Sequence, residues 1–189
     1  MPVLERVKVR EALSSTLMTL DLKTFIRDVP DFPKPGILFR DITPMLADAS
    51  AFAASIDQLD AATAGIEYTR IIGIESRGFI FGAALARKKG CGFVPMRKPK
   101  KLPRAVVRET YALEYGEDTL EMHDDAFAKG ERALIVDDVL ATGGTAEAAG
   151  RLVSRSHGVV AGFAFLIELD FLGGRSKLAP HAVASVVHY

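Results

Sequence analysis

The chain has 189 residues and a formal net charge of zero, from 24 basic and 24 acidic side chains. Balanced charge gives no global attraction to nucleic acid or to an anionic membrane, and a 49% hydrophobic composition is ordinary for a globular domain with a real core. Cys91 is the only cysteine, so no intrachain disulfide can form; no apolar run approaches the ~20 residues of a membrane span; and residues 1–10, with Glu5, Arg6, Lys8 and Arg10, lack the apolar core of a signal peptide. These features set the expectation of a single cytoplasmic domain.

Residues 1–10 read as a loose tail. Residues 11–29 read as an amphipathic helix, with Leu22, Phe25, Ile26 and Val29 at helical spacing and Pro30 as its stop. Two prolines and a glycine make residues 31–36 a stiff turn. A short extended segment follows over residues 37–42, where Arg40 and Asp41 interrupt apolar neighbours; on its own, Phe39 reads as a core residue. Residues 49–62 form a helix with Phe52, Ile56 and Leu59 on one face, closed by Gly65.

Residues 69–74 read as a buried strand. Glu75-Ser76-Arg77-Gly78 follows, then a helical run through Arg87. A strand that feeds a tight polar turn and a helix N-terminus is an anion site. A surface ion pair is the plainer reading of Arg77; a second loop of the same kind, described below, favours a binding role. Residues 91–96 form a third apolar run, with Cys91 as a small core residue.

Six basic residues (Arg97, Lys98, Lys100, Lys101, Arg104, Arg108) lie within residues 97–108, and seven acidic ones within residues 109–125. A nucleic-acid patch is weakened by the adjacent acids and interspersed prolines. A solvated hairpin and a mobile lid whose cations neutralise a polyphosphate remain as readings.

Residues 133–149 read ALIVDDVLATGGTAEAA. The wholly apolar residues 133–136 suit a strand buried on both faces of a parallel sheet. Asp137 and Asp138 come next, then Thr142-Gly143-Gly144-Thr145 and a run of good helix formers. Ligands of open parallel sheets bind beyond the carboxyl ends of the strands. The glycines let the backbone approach a ligand, and the helix N-terminus favours an anion. The two carboxylates would repel that anion but accept hydrogen bonds from a vicinal diol. A phosphate at one end and two hydroxyls at the other describe a ribose 5-phosphate. A Walker A loop would need Lys where Thr145 stands, and a dinucleotide fingerprint would place its acid after the glycines.

Residues 152–153 continue the helix. Residues 159–169 form a long apolar strand, residues 173–174 a turn into residues 175–178, and residues 183–187 a last strand. The four histidines show no metal-ligand spacing. Strands alternating with helical runs give an α/β fold with a mostly parallel central sheet flanked by helices.

VDDVLATGGT (136–145) resembles the phosphoribosyl pyrophosphate loop of the type I phosphoribosyltransferases. DFPKPGILFRDITPML (31–46), IGIESRGFIFG (72–82), RKPKKLP (97–103) and YALEYG (111–116) resemble the segments of those members of the family that act on adenine. The resemblance covers roughly residues 22–189, and so sets residues 1–21 apart as an N-terminal extension to a single domain. It implies the type I phosphoribosyltransferase fold with a small N-terminal hood and a mobile lid loop. It implies transfer of the ribosyl 5-phosphate group to adenine, giving AMP and pyrophosphate, with Mg2+ held mainly by the substrate's own oxygens, in a homodimer.

By the same resemblance, Phe39 stacks on the purine, the backbones of Leu38 and Arg40 read its edge, and Val139 lines the base site. Glu75, Ser76, Arg77, Arg97, Lys98, Lys101, Asp137, Asp138, Ala141, Thr142, Gly143, Gly144 and Thr145 bind phosphoribosyl pyrophosphate, with Arg97 reaching it from the neighbouring subunit. Arg77 contributes to catalysis, Glu114 is the general acid-base near the purine N7, and Tyr111 and Tyr115 belong to the lid. The family also prompts the question of whether the bond between Glu75 and Ser76 is cis. A different nucleobase, or a non-catalytic phosphoribosyl pyrophosphate sensor, remains as an alternative. The intact lid segment argues for catalysis.

Overall fold

The structure is a computed structural model that describes residues 20–113 and 116–189. The chain divides after Gln58 into two compact units.

In the first unit, Asp21 caps a short 3-10 turn, Leu22–Phe25, by accepting a hydrogen bond from the Lys23 N–H at 3.0 Å. Strand β1 (Arg27–Pro30) pairs antiparallel with β2 (Leu38–Asp41), placing Val29 opposite Phe39. The turn between them is tied by Asp31, whose carboxylate accepts from the Gly36 N–H at 2.8 Å. A short helix α1 (Thr43–Ala47) follows, and helix α2 (Ala49–Ala62) carries the chain across the boundary of the units. The helix expected over residues 11–29 is not what the described part of that stretch forms; residues 1–19 lie outside the described residues. Pro30 does more than end a helix. It biases Val29 to extended backbone, β-branching at Val29 adds to this, and β2 supplies the partner.

The second unit is built on a five-stranded sheet in the order β4-β3-β7-β8-β9: β3 (Arg70–Ile74), β4 (Gly92–Met96), β7 (Arg132–Leu140), β8 (Val159–Glu168) and β9 (Ala182–His188). Every neighbouring pair is parallel. Helices α3 (Gly78–Lys89) and α4 (Gly144–Arg155) make the crossovers β3–α3–β4 and β7–α4–β8. The central strands are apolar because both faces are covered. Ile72, Ile74, Ile135, Phe163 and Phe165 pack with Leu152 and Val153 of α4 in one core.

Strand order reverses between β3 and β7. From β3 the chain moves outward to β4 on one side, and from β7 outward to β8 on the other. This switch point is where an open α/β sheet opens a crevice at the carboxyl ends of its strands. Residues 106–123 form a separate antiparallel pair, β5 (Val106–Leu113) with β6 (Gly116–His123), tied to the end of β4 by the two backbone hydrogen bonds that Glu121 exchanges with Arg97. No helix among the described residues is long and apolar enough to cross a membrane.

Candidate active site

Both sequence-identified loops leave adjacent strands at the switch point: residues 75–78 after β3 and residues 141–145 after β7. The second loop enters α4 through Gly143, whose φ of 81° is left-handed. A Cβ at Gly143 would lie 2.5 Å from the Gly174 carbonyl oxygen, so glycine is required twice over, by backbone conformation and by space. The first N–H groups of α4 have no partner within the helix. They face a cavity of about 90 Å³ lined by Asp137, Val139, Ala141, Thr142, Gly143, Gly144, Thr145 and the ring of Phe165, among others. A cavity of that size suits a single tetrahedral anion.

Asp137 and Asp138 close the other side of the crevice. The Asp137 carboxylate accepts from the Asp138 N–H at 2.9 Å. Asp138 is 4% exposed. Its Oδ2 lies 2.8 Å from Arg77 Nε, yet no N–H is aligned on that oxygen to make a hydrogen bond. It is therefore a buried acceptor with a counter-charge but no aligned donor. Burial raises both carboxyls above the ordinary aspartate range. The negative charge of Asp138 pushes Asp137 further up, while Arg77 acts against the rise at Asp138. Gly78, at the start of α3, makes this meeting possible: a Cβ there would be 2.7 Å from the Val136 carbonyl oxygen and 2.9 Å from Asp137 Oδ1.

The bond joining Glu75 to Ser76 is cis. The Glu75 carboxylate receives the Arg97 guanidinium in a fork, at 3.1 Å from Nε and 3.2 Å from Nη2, and the Lys98 backbone N–H at 2.9 Å. Burial alone would raise this carboxyl; the Lys98 N–H and Arg97 outweigh it and hold it below the usual glutamate range. Within this chain Arg97 is thus engaged by its own Glu75. The Lys98 ammonium pairs with Asp118 and lies 3.5 Å from the Tyr111 hydroxyl, which itself donates to Asp118 at 3.1 Å. Tyr111 lies beside Thr145, and the carbonyl oxygen of its neighbour Ala112 lies 3.9 Å from where a Cβ at Gly144 would stand. Lys101 meets the group through its carbonyl, which accepts from Arg97 at 3.3 Å.

The second unit therefore brings Asp137, Asp138, Val139 and residues 141–145 together with Arg77, and places Tyr111 beside Thr145. Leu38, Phe39 and Arg40 belong to β2 of the first unit. There Phe39 meets Phe32 edge-on, with ring centroids 5.1 Å apart, and Arg40 pairs with Asp28. Glu114 and Tyr115 lie outside the described residues. Asp118, Gly78 and Gly174 were given no site role by the sequence. Asp118 looked like one acid in an acidic run, and only the β5–β6 register, which sets it opposite Tyr111, gives it a role. Glu168, Asp170 and His188 also converge, but Glu168 is already held by Arg175 and Ser185.

Comparison with known proteins agrees with this geometry. The model of the phosphoribosyl transferase domain matches residues 39–186. The adenine phosphoribosyltransferase of Solibacter usitatus is 59% identical over 169 residues, 89% of this chain and 98% of the relative. The crystal structure of adenine phosphoribosyltransferase from Thermoanaerobacter pseudethanolicus superposes with a TM-score of 0.87 at 50% identity, covering 89% of this chain and 98% of that one. The Saccharomyces cerevisiae enzyme, solved with an imino-altritol bisphosphate and adenine, gives 0.82 at 40% identity, covering 93% and 99%. With its paired anion loops at the switch point and this degree of likeness, the chain belongs to the adenine phosphoribosyltransferase family.

Proposed function

We propose that this enzyme transfers the ribosyl 5-phosphate group of phosphoribosyl pyrophosphate to N9 of adenine, forming AMP and releasing pyrophosphate, a purine-salvage step in the cytoplasm. The observation that carries the reading is the meeting of two anion loops and a buried carboxylate pair at one switch point.

The N–H groups and hydroxyls of residues 141–145 hold the 5-phosphate in the 90 Å³ cavity. Asp137 and Asp138 accept from the ribose hydroxyls; the buried Oδ2 of Asp138, without an aligned donor, suits a hydroxyl proton. As the bond from C1 to pyrophosphate breaks and that from C1 to N9 forms, positive charge develops at C1 and negative charge on the leaving oxygens. Glu75, Ser76, Arg77, Arg97, Lys98 and Lys101 form the pyrophosphate side, and their cations stabilise that leaving charge.

A Mg2+ ion bound mainly through pyrophosphate and ribose oxygens fits this site. Such ions take one or two carboxylates besides substrate oxygens, and Asp137 and Asp138 are carboxylates at the crevice. Held there, it would supply charge neutralisation to the leaving group.

On the base, the Phe39 ring provides a stacking face, the backbones of Leu38 and Arg40 read the adenine edge, and Val139 adds an apolar wall. Glu114 takes the purine proton, and Tyr111 and Tyr115 belong to the lid segment. A homodimer follows from the family resemblance; sedimentation equilibrium tests it. The deciding assay offers adenine, hypoxanthine, guanine, uracil and orotate separately with Mg2+ and phosphoribosyl pyrophosphate. Selective AMP formation is expected. Another favoured base would overturn the role of residues 38–40, and binding without turnover would make the protein a sensor.

A further inference from the structure

Strand β5 alternates. Val107, Glu109 and Tyr111 turn inward, while Arg108, Thr110 and Ala112 turn outward. A carboxylate between two apolar inward residues is out of pattern, and the Glu109 side chain is only 13% exposed. Its cross-strand partner is Leu120, which is fully buried. A carboxylate in such a place is costly unless it is paired and hydrogen-bonded.

Helix α4 supplies the partners. Arg151 and Arg155 sit one turn apart on one face. Arg151 Nε lies 2.7 Å from one Glu109 oxygen and Arg155 Nη1 2.6 Å from the other. Arg155 Nη1 also donates to the Arg108 carbonyl at 3.2 Å, and Glu147 steadies Arg151 at 3.2 Å. Both oxygens of one carboxylate are thus committed to one helix. Hydrogen bonding to Arg151 leads the effects that hold the Glu109 carboxyl below its usual range; partial burial opposes it, and Arg155 adds to the lowering.

The hairpin therefore meets α4 twice. Beside Tyr111, the Ala112 carbonyl oxygen comes within 3.9 Å of a Cβ position at Gly144, at the start of the helix, and Glu109 reaches Arg151 and Arg155 in its later turns. The first contact touches the phosphate loop; the second does not.

We propose that Glu109 is a positioning residue, which fixes the β5–β6 hairpin on α4 through Arg151 and Arg155 and so sets Tyr111, and the Lys98–Asp118 pair beside it, against the phosphate loop. The consequence for turnover rests on the reaction proposed above, whereas the docking itself does not. Tyr111 anchors one end of the hairpin's inward face, and Glu109 keeps that face from rolling away when Lys98 exchanges Asp118 for a phosphate.

The test uses the full chain with Glu109→Ala, Arg151→Gln/Arg155→Gln and the triple combination, and reads amide hydrogen exchange together with steady-state kinetics. Loss of a local tie lowers the opening free energy of that segment alone. Exchange at residues 106–112 and 117–123 should quicken about tenfold in both variants while β7 and β8 keep their protection. The triple variant should match the double, because Glu109 acts through the two arginines. KM for phosphoribosyl pyrophosphate should rise about fivefold with kcat within about twofold, the mark of lost substrate binding with the chemistry intact. Glu109→Gln, which keeps hydrogen-bonding atoms, should recover part of the protection. Unchanged hairpin exchange, or additive effects in the triple variant, would overturn the proposal. Faster exchange with KM unmoved would overturn the positioning role. A wild-type chain that turned over no base would count against the reaction alone, since the exchange result stands without it.

Discussion

Arg77 Nε stands 2.8 Å from Asp138 Oδ2, joining the loop after β3 to the end of β7 across the switch point. One partner is partly exposed and the other almost wholly buried, so the pair joins the two loops proposed to hold pyrophosphate and ribose. Arg77→Met removes the counter-charge from Asp138 and a cation from the leaving group. We expect kcat/KM for phosphoribosyl pyrophosphate to fall by about 10²–10³, measured by AMP formation under limiting substrate.

The neighbouring acid gives a pH-dependent prediction. Burial, then the charge of Asp138, places the Asp137 carboxyl above its ordinary value in the fold. An acid raised on folding binds more protons in the native state, so its contribution to stability falls as pH rises from the ordinary value of 3.8 through the folded one. Asp137→Asn escapes this loss and keeps an oxygen for the Asp138 N–H. The variant should melt ~2–4 °C above wild type at pH 7, equivalent to about 1 kcal/mol. That gap should close towards pH 4 in scanning fluorimetry, while turnover is lost.

Gly143→Ala sets a left-handed backbone and a 2.5 Å approach to the Gly174 carbonyl against a new methyl group. The loop must shift, and with it the N–H groups of α4. Stability should drop by about 1–3 kcal/mol, seen in urea unfolding. KM for phosphoribosyl pyrophosphate should rise more steeply than KM for adenine.

Phe39→Ala tests the proposed stacking on the base. Loss of one stacking ring is worth about 1–3 kcal/mol per base, so KM for adenine should rise by about 5- to 100-fold. KM for phosphoribosyl pyrophosphate should stay within a factor of about two. Equal changes in both constants would mean that Phe39 serves packing.

Away from the site, Glu168 is 4% exposed and held by Arg175 at 2.9 and 2.5 Å and by Ser185 at 2.6 Å. Burial would raise its carboxyl, but Arg175 and Ser185 keep it below the ordinary range, so this stability is present above the usual value of 4.5 and fades as pH falls through the folded one. Arg175→Met leaves a buried charge without its guanidinium. A fully buried pair would lose ~3–5 kcal/mol; with Arg175 half exposed, about 1–3 kcal/mol is expected in urea unfolding at pH 7.

The parts of this architecture that could be read from the chain are those where one short segment does the whole job. The apolar run ending at Val136, the acids that follow and the glycines that turn the chain are contiguous, and their order admits few physical solutions. The loop at Glu75 is similar. What could not be read depends on partners far away in sequence. Gly174 matters because Gly143 lies against it, and Asp118 because Tyr111 lies opposite it. Val29 looked helical from spacing alone, but its strand exists because Phe39 pairs with it. The acidic run of residues 109–125 hid the most. Glu109, Asp118 and Glu121 lie close in sequence, yet each goes to a different cation or backbone donor, and only the sheet register sorts them.

The cations Arg77, Arg97 and Lys98 are each in contact with a carboxylate of their own chain: Asp138, Glu75 and Asp118. Their fields cancel within a few ångströms, and the whole chain adds no net charge to restore an outward pull. A highly charged substrate approaching from solution meets little long-range attraction. With these cations in the role proposed for them, it gains its favourable contacts only at the end, by taking over partners that the carboxylates release. Capture is thus governed by short-range exchange, and its rate should vary little with ionic strength.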